Sequence, residues 1–402
     1  MDVLQPEVAG LGLNSWVFGL LGLLAVLAGR ALPRVGRRAA LLLLDGLFVA
    51  FFIHRWLELA VLAGFVLVTW GIGRWRATDP ARLPKAAMAA VMVGLWTFLF
   101  LVRDPDLLGA ANPFHHAPVR IIGISYLVFR SISWINEADL VAERGLLTYV
   151  HYLLFFPTLL SGPIERWRRF SEMDQEPAPV LAEALLPGLH RITTGLLMKF
   201  VLADNLWPLC LAGLEPDAPT SVLWAGVLLQ YPLLFLDFAG YCHVAIGLAT
   251  LVGFPVVENF NHPFRSRNVA EFWERWHISL STMVRDYVFT PFAKIVLLRS
   301  PKAWQFVGLT AVYFGSTVLI GVWHDTTLGF ATFGVLHGAA LVALQIKRKN
   351  RKRLAAVWPL KRGNDALAIV GTYVFLSLTM IPWIVPVGRW GSVCARLLGG
   401  GP

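Results

Sequence analysis

Ten histidines occur in the 402 residues, and three stand where an imidazole could do chemistry. His277 ends the run Phe272-Trp273-Glu274-Arg275-Trp276-His277, His324 follows Gly321-Val322-Trp323, and His337 lies between Leu336 and Gly338. His324 and His337 sit in or at the ends of strongly apolar runs. Carrying an ionisable group into such a run is costly, so an intramembrane histidine is a functional candidate by default. The alternative is a neutral imidazole hydrogen-bonded to a neighbouring helix, with a structural role only. His324 and His337 are 13 positions apart, about 20 Å along one straight helix. To serve one reaction centre they need a helix break within residues 326–329.

Other chemistries find less support. No HExxH motif or carboxylate pair at ligand spacing occurs, so no metal is expected. No GxSxG elbow marks a serine nucleophile. Cys210, Cys242 and Cys394 are scattered, odd in number and without zinc-like spacing. Cys242 adjoins His243, but neighbours on a helix point about 100° apart, which disfavours a thiol–imidazole pair.

These residues must be positioned by helices in a membrane. The chain is 56% hydrophobic and only 15% charged, with 16 tryptophans and 26 phenylalanines; soluble domains carry about 25% charged residues. Apolar runs at 13–32, 39–53, 57–73, 86–102, 119–135, 145–162, 191–213, 221–252, 303–323, 328–346 and 366–386 predict an all-α, polytopic transmembrane bundle of about 9–11 spans. Several are short, as tilted, broken or paired helices are. The net charge of +10 falls largely between these runs: Arg30, Arg34, Arg37 and Arg38; Arg74, Arg76, Arg82 and Lys85; Lys347, Arg348, Lys349, Arg351, Lys352 and Arg353. That is the positive-inside pattern, so the charge reads as topology and nucleic acid is excluded as a partner. The leading segment, with Asp2 and Glu7, lacks a basic region and cleavage site. It predicts an uncleaved first span and an outside N-terminus.

Residues 254–296 break the apolar pattern. Glu258, Asn259, Asn261, His262, Arg265, Arg267, Asn268, Glu271, Glu274, Arg275, His277, Arg285 and Asp286 are mixed there with aromatics. Polar backbone at membrane depth is tolerated only inside protein or beside water. The segment therefore predicts short re-entrant or interfacial helices lining a central funnel.

Asp237-Phe238-Ala239-Gly240-Tyr241, Glu258-Asn259-Phe260-Asn261-His262-Pro263-Phe264, the run from Phe272 through His277, Ser279 and Ser281, and Arg285-Asp286-Tyr287 together resemble the membrane-bound O-acyltransferase (MBOAT) family. Gly321-Val322-Trp323-His324, Leu336-His337-Gly338, Gly123 to Arg130 and Phe156 to Arg166 fit the same pattern, in the same order. The resemblance covers roughly residues 119–340. It implies N-terminal helices at 1–118, a catalytic core at 119–346, and a basic loop with a C-terminal helix at 347–402. Ser161 to Phe170, rich in arginine, is more similar to the branch that D-alanylates teichoic acid. Glu258 to Ser281 is about as similar to the alginate O-acetylating branch.

The resemblance further implies that His324 is catalytic and His277 its companion. Asn261, Trp276, Ser279, Arg285, Asp286, Trp323 and His337 would contact substrate. An imidazole suits the role of general base to an attacking hydroxyl; His277, Asn261 or a backbone N–H could serve the oxyanion. No tightly bound cofactor is expected: the donor would be a phosphopantetheine thioester, on an acyl carrier protein or coenzyme A. The acceptor would be an extracytoplasmic glycan or teichoic-acid-like polymer, with a periplasmic or membrane-anchored acyltransferase as a further partner. The setting would be the lipid of a bacterial inner membrane. Arg166, Arg168 and Arg169 read as topology charges or as a site for an acidic carrier. Arg275 and Arg285 read equally as ion-pair partners of Glu271, Glu274 or Asp286. Two departures stand out: Asp325 where glycine is common after Trp-His, and Cys242-His243 where serine and an acid are common. Exopolysaccharide O-acetylation remains an alternative. So does a transporter or flippase, although no inverted repeat is seen.

Overall fold

A computed structural model of the chain describes residues 15–79, 84–176, 180–350 and 365–400. Asp2, Glu7, Arg82, Arg351, Lys352 and Arg353, read above for topology, lie outside them. The described residues form helices and no strand, with a single isolated bridge between Phe260 and Trp276. Among them, seven helices are long and apolar enough to cross a membrane: Trp56–Thr78, Ala86–Arg103, Leu181–Gly213, Thr220–Val252, Lys302–His324, Leu328–Lys349 and Asp365–Ile384. The protein is an all-α, multi-pass membrane protein. The runs at 119–135 and 145–162 are shorter helices than a span requires. The first forms Ile124–Glu137, 14 residues or about 21 Å, against a hydrocarbon core of about 30 Å. The second breaks at Phe155 into Leu146–Leu154 and Phe156–Leu159, because Pro157 restricts the backbone before it and has no N–H to donate.

The chain divides into two compact units. One comprises Glu7–Leu196 with Tyr241–Glu258. Its core is the Ile124–Glu137 helix, buried along nearly its whole length. Polar groups there are met from within the protein. The buried Arg130 guanidinium donates to the carbonyls of Tyr152 (3.1 Å) and Leu153 (2.8 Å) and to the Thr158 hydroxyl (2.6 Å). It thereby satisfies carbonyls that the break at Phe155 leaves without helical donors. The Trp134 indole donates to the Thr69 carbonyl at 3.0 Å. It fits because Gly73 has no side chain; a Cβ there would stand 2.1 Å from the indole nitrogen. Arg166, Arg168 and Arg169 pair with Glu137, Glu172 and Glu165 at 3.7, 2.9 and 2.6 Å.

The other unit holds Leu197–Gly240 and Asn259–Pro402. Its largest feature is the hairpin of Lys302–His324 and Leu328–Lys349. The two helices approach closely at Gly321 and Gly334. A Cβ on Gly321 would lie 2.4 Å from the Phe330 carbonyl, and one on Gly334 2.9 Å from Val318 Cα. Between the helices Asp325 is extended (φ −161°), and its carboxylate accepts the Thr327 N–H at 2.8 Å. This Asx turn ends one helix and admits the next, so no glycine is needed where Asp325 stands. A second core gathers Tyr231, Leu234, Phe272, Trp276, Leu376 and Met380. Lys199, in a π-helical turn at Leu197–Ala203, pairs with Asp204 at 2.8 Å and with Asp237.

A candidate active site around His277 and His324

The polar segment folds as short pieces: a turn at Pro263–Arg265, helices Val269–Trp273 and Ile278–Val284, and a π turn at Arg285–Phe289. Asn268 caps the first helix by accepting the Glu271 N–H at 3.0 Å. Around the Phe260–Trp276 bridge, the Asn261 N–H donates to the Arg275 carbonyl and the Ile278 N–H to the Asn259 carbonyl, both at 3.0 Å. His277 lies inside this clamp with φ +44° and ψ 54°. A left-handed backbone is unusual for a residue with a Cβ and costs about 1–3 kcal/mol. The flanking hydrogen bonds hold it there.

The His277 ring is 2% exposed. Phe238 meets it edge-on at 4.7 Å and Trp323 lies 6.2 Å away. Burial pushes its basicity well below the usual histidine range, and the nearby His324 acts in the same direction. Both effects favour the neutral imidazole. Its Nε2 is buried and has no hydrogen-bond partner among the described residues.

Asn259, which the sequence marks only as one polar residue of its segment, supports this geometry. Wholly buried, its side-chain oxygen accepts from the Ser279 N–H (3.2 Å) and hydroxyl (2.6 Å). It thus caps the Ile278–Val284 helix from outside that helix. Asn259→Ala would remove the acceptor that both buried Ser279 donors share, a loss expected at about 1–3 kcal/mol. Asn259→Asp, which keeps the acceptor, is expected to lose less. Thermal unfolding of the detergent-purified variants reads the difference; an unchanged midpoint for the alanine variant would remove Asn259 from the scaffold.

His324 is the last residue of its helix and half-buried. Its ring lies 4.6 Å from that of Trp323, 5.9 Å from Phe330 and 5.7 Å from Trp383. Trp323, 7% exposed, therefore touches both imidazoles. The structure brings together His277, His324 and Trp323, with Phe238, Phe330 and Trp383 added around them.

The helix break that a shared centre would need is present, but His337 lies nine residues beyond Leu328, about 14 Å along its helix. It is 1% exposed, and its Nε2 is 2.9 Å from the Thr379 hydroxyl. Phe333, Trp273 and Phe375 surround it at 4.1, 5.5 and 5.6 Å. Trp276 stacks on Phe272 at 5.4 Å in the aromatic core. Asn261 is exposed, and its carbonyl accepts from Arg275 at 3.3 Å. Arg275 also pairs with Glu271 at 2.9 Å, and Arg285 with Asp286 at 2.7 Å. In the other unit, the Cys242 thiol points to the Ser161 carbonyl at 3.7 Å. Among the described residues, no three His, Cys, Asp or Glu side chains group as metal ligands.

Residues 114–381 match the model of the membrane-bound O-acyltransferase family. A teichoic acid D-alanyltransferase of Bacillus subtilis is 34% identical over 292 residues, covering 69% of this chain and 72% of its own. One from Streptococcus thermophilus is 33% identical over 316 residues, covering 72% and 75%. A probable alginate O-acetylase of Azotobacter vinelandii is 35% identical over 226 residues, covering 55% of this chain and 43% of its own. The sequence resemblance, the helical membrane fold and these matches agree: the chain belongs to the membrane-bound O-acyltransferase family and is an acyltransferase.

Proposed function

We propose that this acyltransferase moves a short acyl group from a phosphopantetheine thioester, offered from the cytoplasm, to a hydroxyl of an extracytoplasmic polymer, with His324 as general base. The observation that carries the reading is the convergence of His277 and His324 on Trp323, at the point where Asp325 breaks the helix. His324 takes the proton of the acceptor hydroxyl as its oxygen attacks the thioester carbonyl. The new C–O bond forms, the C–S bond breaks, and the imidazolium returns its proton to the departing thiolate. The neutral His277, in its Nε2–H tautomer, donates to the oxyanion. The cost of its left-handed backbone fits a residue held for function rather than for stability.

Trp323 is assigned to substrate contact. Ser279, Trp276 and His337 are assigned to the shell that supports it, and Asn261, Arg285 and Asp286 to the approach. The D-alanyltransferase relatives, matched over more of their length than the acetylase, favour a D-alanyl donor on a carrier protein and a teichoic-acid-like acceptor. They also favour a bacterial cytoplasmic membrane. Acetyl transfer to an exopolysaccharide, aided by a periplasmic or membrane-anchored partner, is the second reading and rests on the acetylase relative.

The test is acyl transfer in proteoliposomes, with D-alanyl-carrier protein and acetyl-CoA supplied as separate donors. Transfer from the first donor alone supports the D-alanyl reading. Transfer from the second alone replaces it with acetylation. Transfer from neither removes the donor assignment.

A further inference from the structure

Three aromatic rings stand against the His324 imidazole, and they differ in origin. Trp323 and Phe330 come from the two helices of the hairpin and are buried, at 7% and 3% exposure. Trp383 comes from the short helix Ile381–Ile384 and is half-buried. Its backbone is brought there by a close approach. A Cβ on Gly329 would stand 2.1 Å from the Pro382 carbonyl, so the turn carrying Trp383 can seat on the start of the second hairpin helix only because residue 329 has no side chain. The Trp383 indole then packs on Phe330 at 4.7 Å and on Phe333 at 5.8 Å. These contacts fix its orientation, and part of its surface stays accessible.

We propose that Trp383 is a specificity-determining residue: its indole is the wall against which the donor's acyl chain rests, and it restricts that chain to a short one. The inference rests on the proposed role of His324. A thioester carbonyl attacked by a hydroxyl bound to this imidazole must sit within about 3–3.5 Å of that oxygen. The carbons beyond the carbonyl then fall within reach of rings centred 4.6–5.9 Å from the imidazole. Among the described residues, the rings paired with Trp383 apart from His324 are the phenyl groups of Phe330 and Phe333, and an indole face is itself mostly apolar. That suits an acyl chain better than a polyol acceptor. The same wall keeps water from the thioester.

The experiment measures binding of unreactive S-ethyl and S-octyl phosphopantetheine thioethers to the full-length protein in lipid nanodiscs, with binding to empty discs subtracted. The wild type is expected to prefer the ethyl compound by at least about tenfold. W383A is expected to lose that preference, and W383F, which keeps a ring, to retain most of it. Thermal unfolding checks that each variant is folded; should W383A not fold, W383L reads the same ratio. An unchanged preference in a folded W383A or W383L overturns the proposal, as does a wild type without any preference. Turnover of a short-chain thioester by the wild type is read separately. If turnover is absent while the preference still collapses in W383A, the wall stands and the transfer assignment falls.

Discussion

His324→Ala is expected to reduce acyl transfer by about 10²–10⁴-fold, the range that a positioned general base contributes, in a protein that still inserts and unfolds near the wild-type temperature. The side chain ends its helix and is only half-buried, so little packing is lost with it. The backbone that shapes the site is held by the Asp325 turn and by the Gly321–Gly334 approach, which alanine at 324 leaves alone. Single-turnover transfer separates the chemical step from donor binding. The chemical rate should fall while donor affinity stays within a small factor. A well-folded variant at wild-type rate would end the assignment of His324 as base.

The companion variant must respect the backbone at 277. Alanine at φ +44° is strained and also leaves a hole among Phe238, Trp323 and the Asn259 clamp. Asparagine visits the left-handed region readily and keeps a polar side chain. His277→Asn is thus the cleaner probe. If His277 supplies the oxyanion donor, its loss is expected at about 10²–10³-fold. The double variant should lose less than the product of the two, because the residues act in one step.

The membrane fold was legible from apolar length alone, but the number of spans was not. Leu146–Leu154 is as apolar as a lipid-facing helix although protein rather than lipid surrounds it, and hydropathy does not separate the two solvents; Ile124–Glu137 carries Arg130, Asn136 and Glu137 among its apolar residues. His277 and His324 were legible as a pair through a resemblance of motifs. Their spacing says nothing about proximity, since two short helices, a π turn and the first helix of the hairpin intervene. Asn259 was named among the polar residues of its segment, yet its role is a contact across 20 positions to Ser279 that no local pattern encodes. Trp383 lay hidden in a C-terminal run that reads simply as a span. Its approach to His324 depends on what Gly329 lacks. The isolated Asp45, within Leu41 to Val49, was itself a signal, because an acid in an apolar run demands a partner; the partner could not be named from sequence.

That partner is His151, and removing one member of the pair is expected to give the largest stability change in the protein. Asp45 Oδ2 lies 2.7 Å from His151 Nδ1, and the two side chains are 1% and 0% exposed. The other carboxylate oxygen accepts the Phe156 N–H at 2.9 Å, at the start of the turn that follows the break at Phe155. Phe155, Phe170 and Phe254 enclose the imidazole at 5.5, 5.2 and 5.4 Å. Asp45→Ala leaves an imidazole and a backbone N–H without acceptors in an aromatic cage, and a buried pair broken on one side typically costs about 3–5 kcal/mol. Asp45→Asn is expected to lose less, since its amide oxygen can still accept one of the two hydrogen bonds. Replacing both partners with apolar residues, Asp45→Leu with His151→Phe, removes the unmet groups together. The double variant should unfold at a higher temperature than Asp45→Ala, with only the Phe156 N–H still unmet. Thermal unfolding of all three in one detergent decides between a pair that stabilises and one that is merely satisfied. If Asp45→Ala unfolds with the wild type, the carboxylate is not what holds these helices. If the double variant instead matches Asp45→Ala, the loss arises from shape at the break rather than from the stranded imidazole.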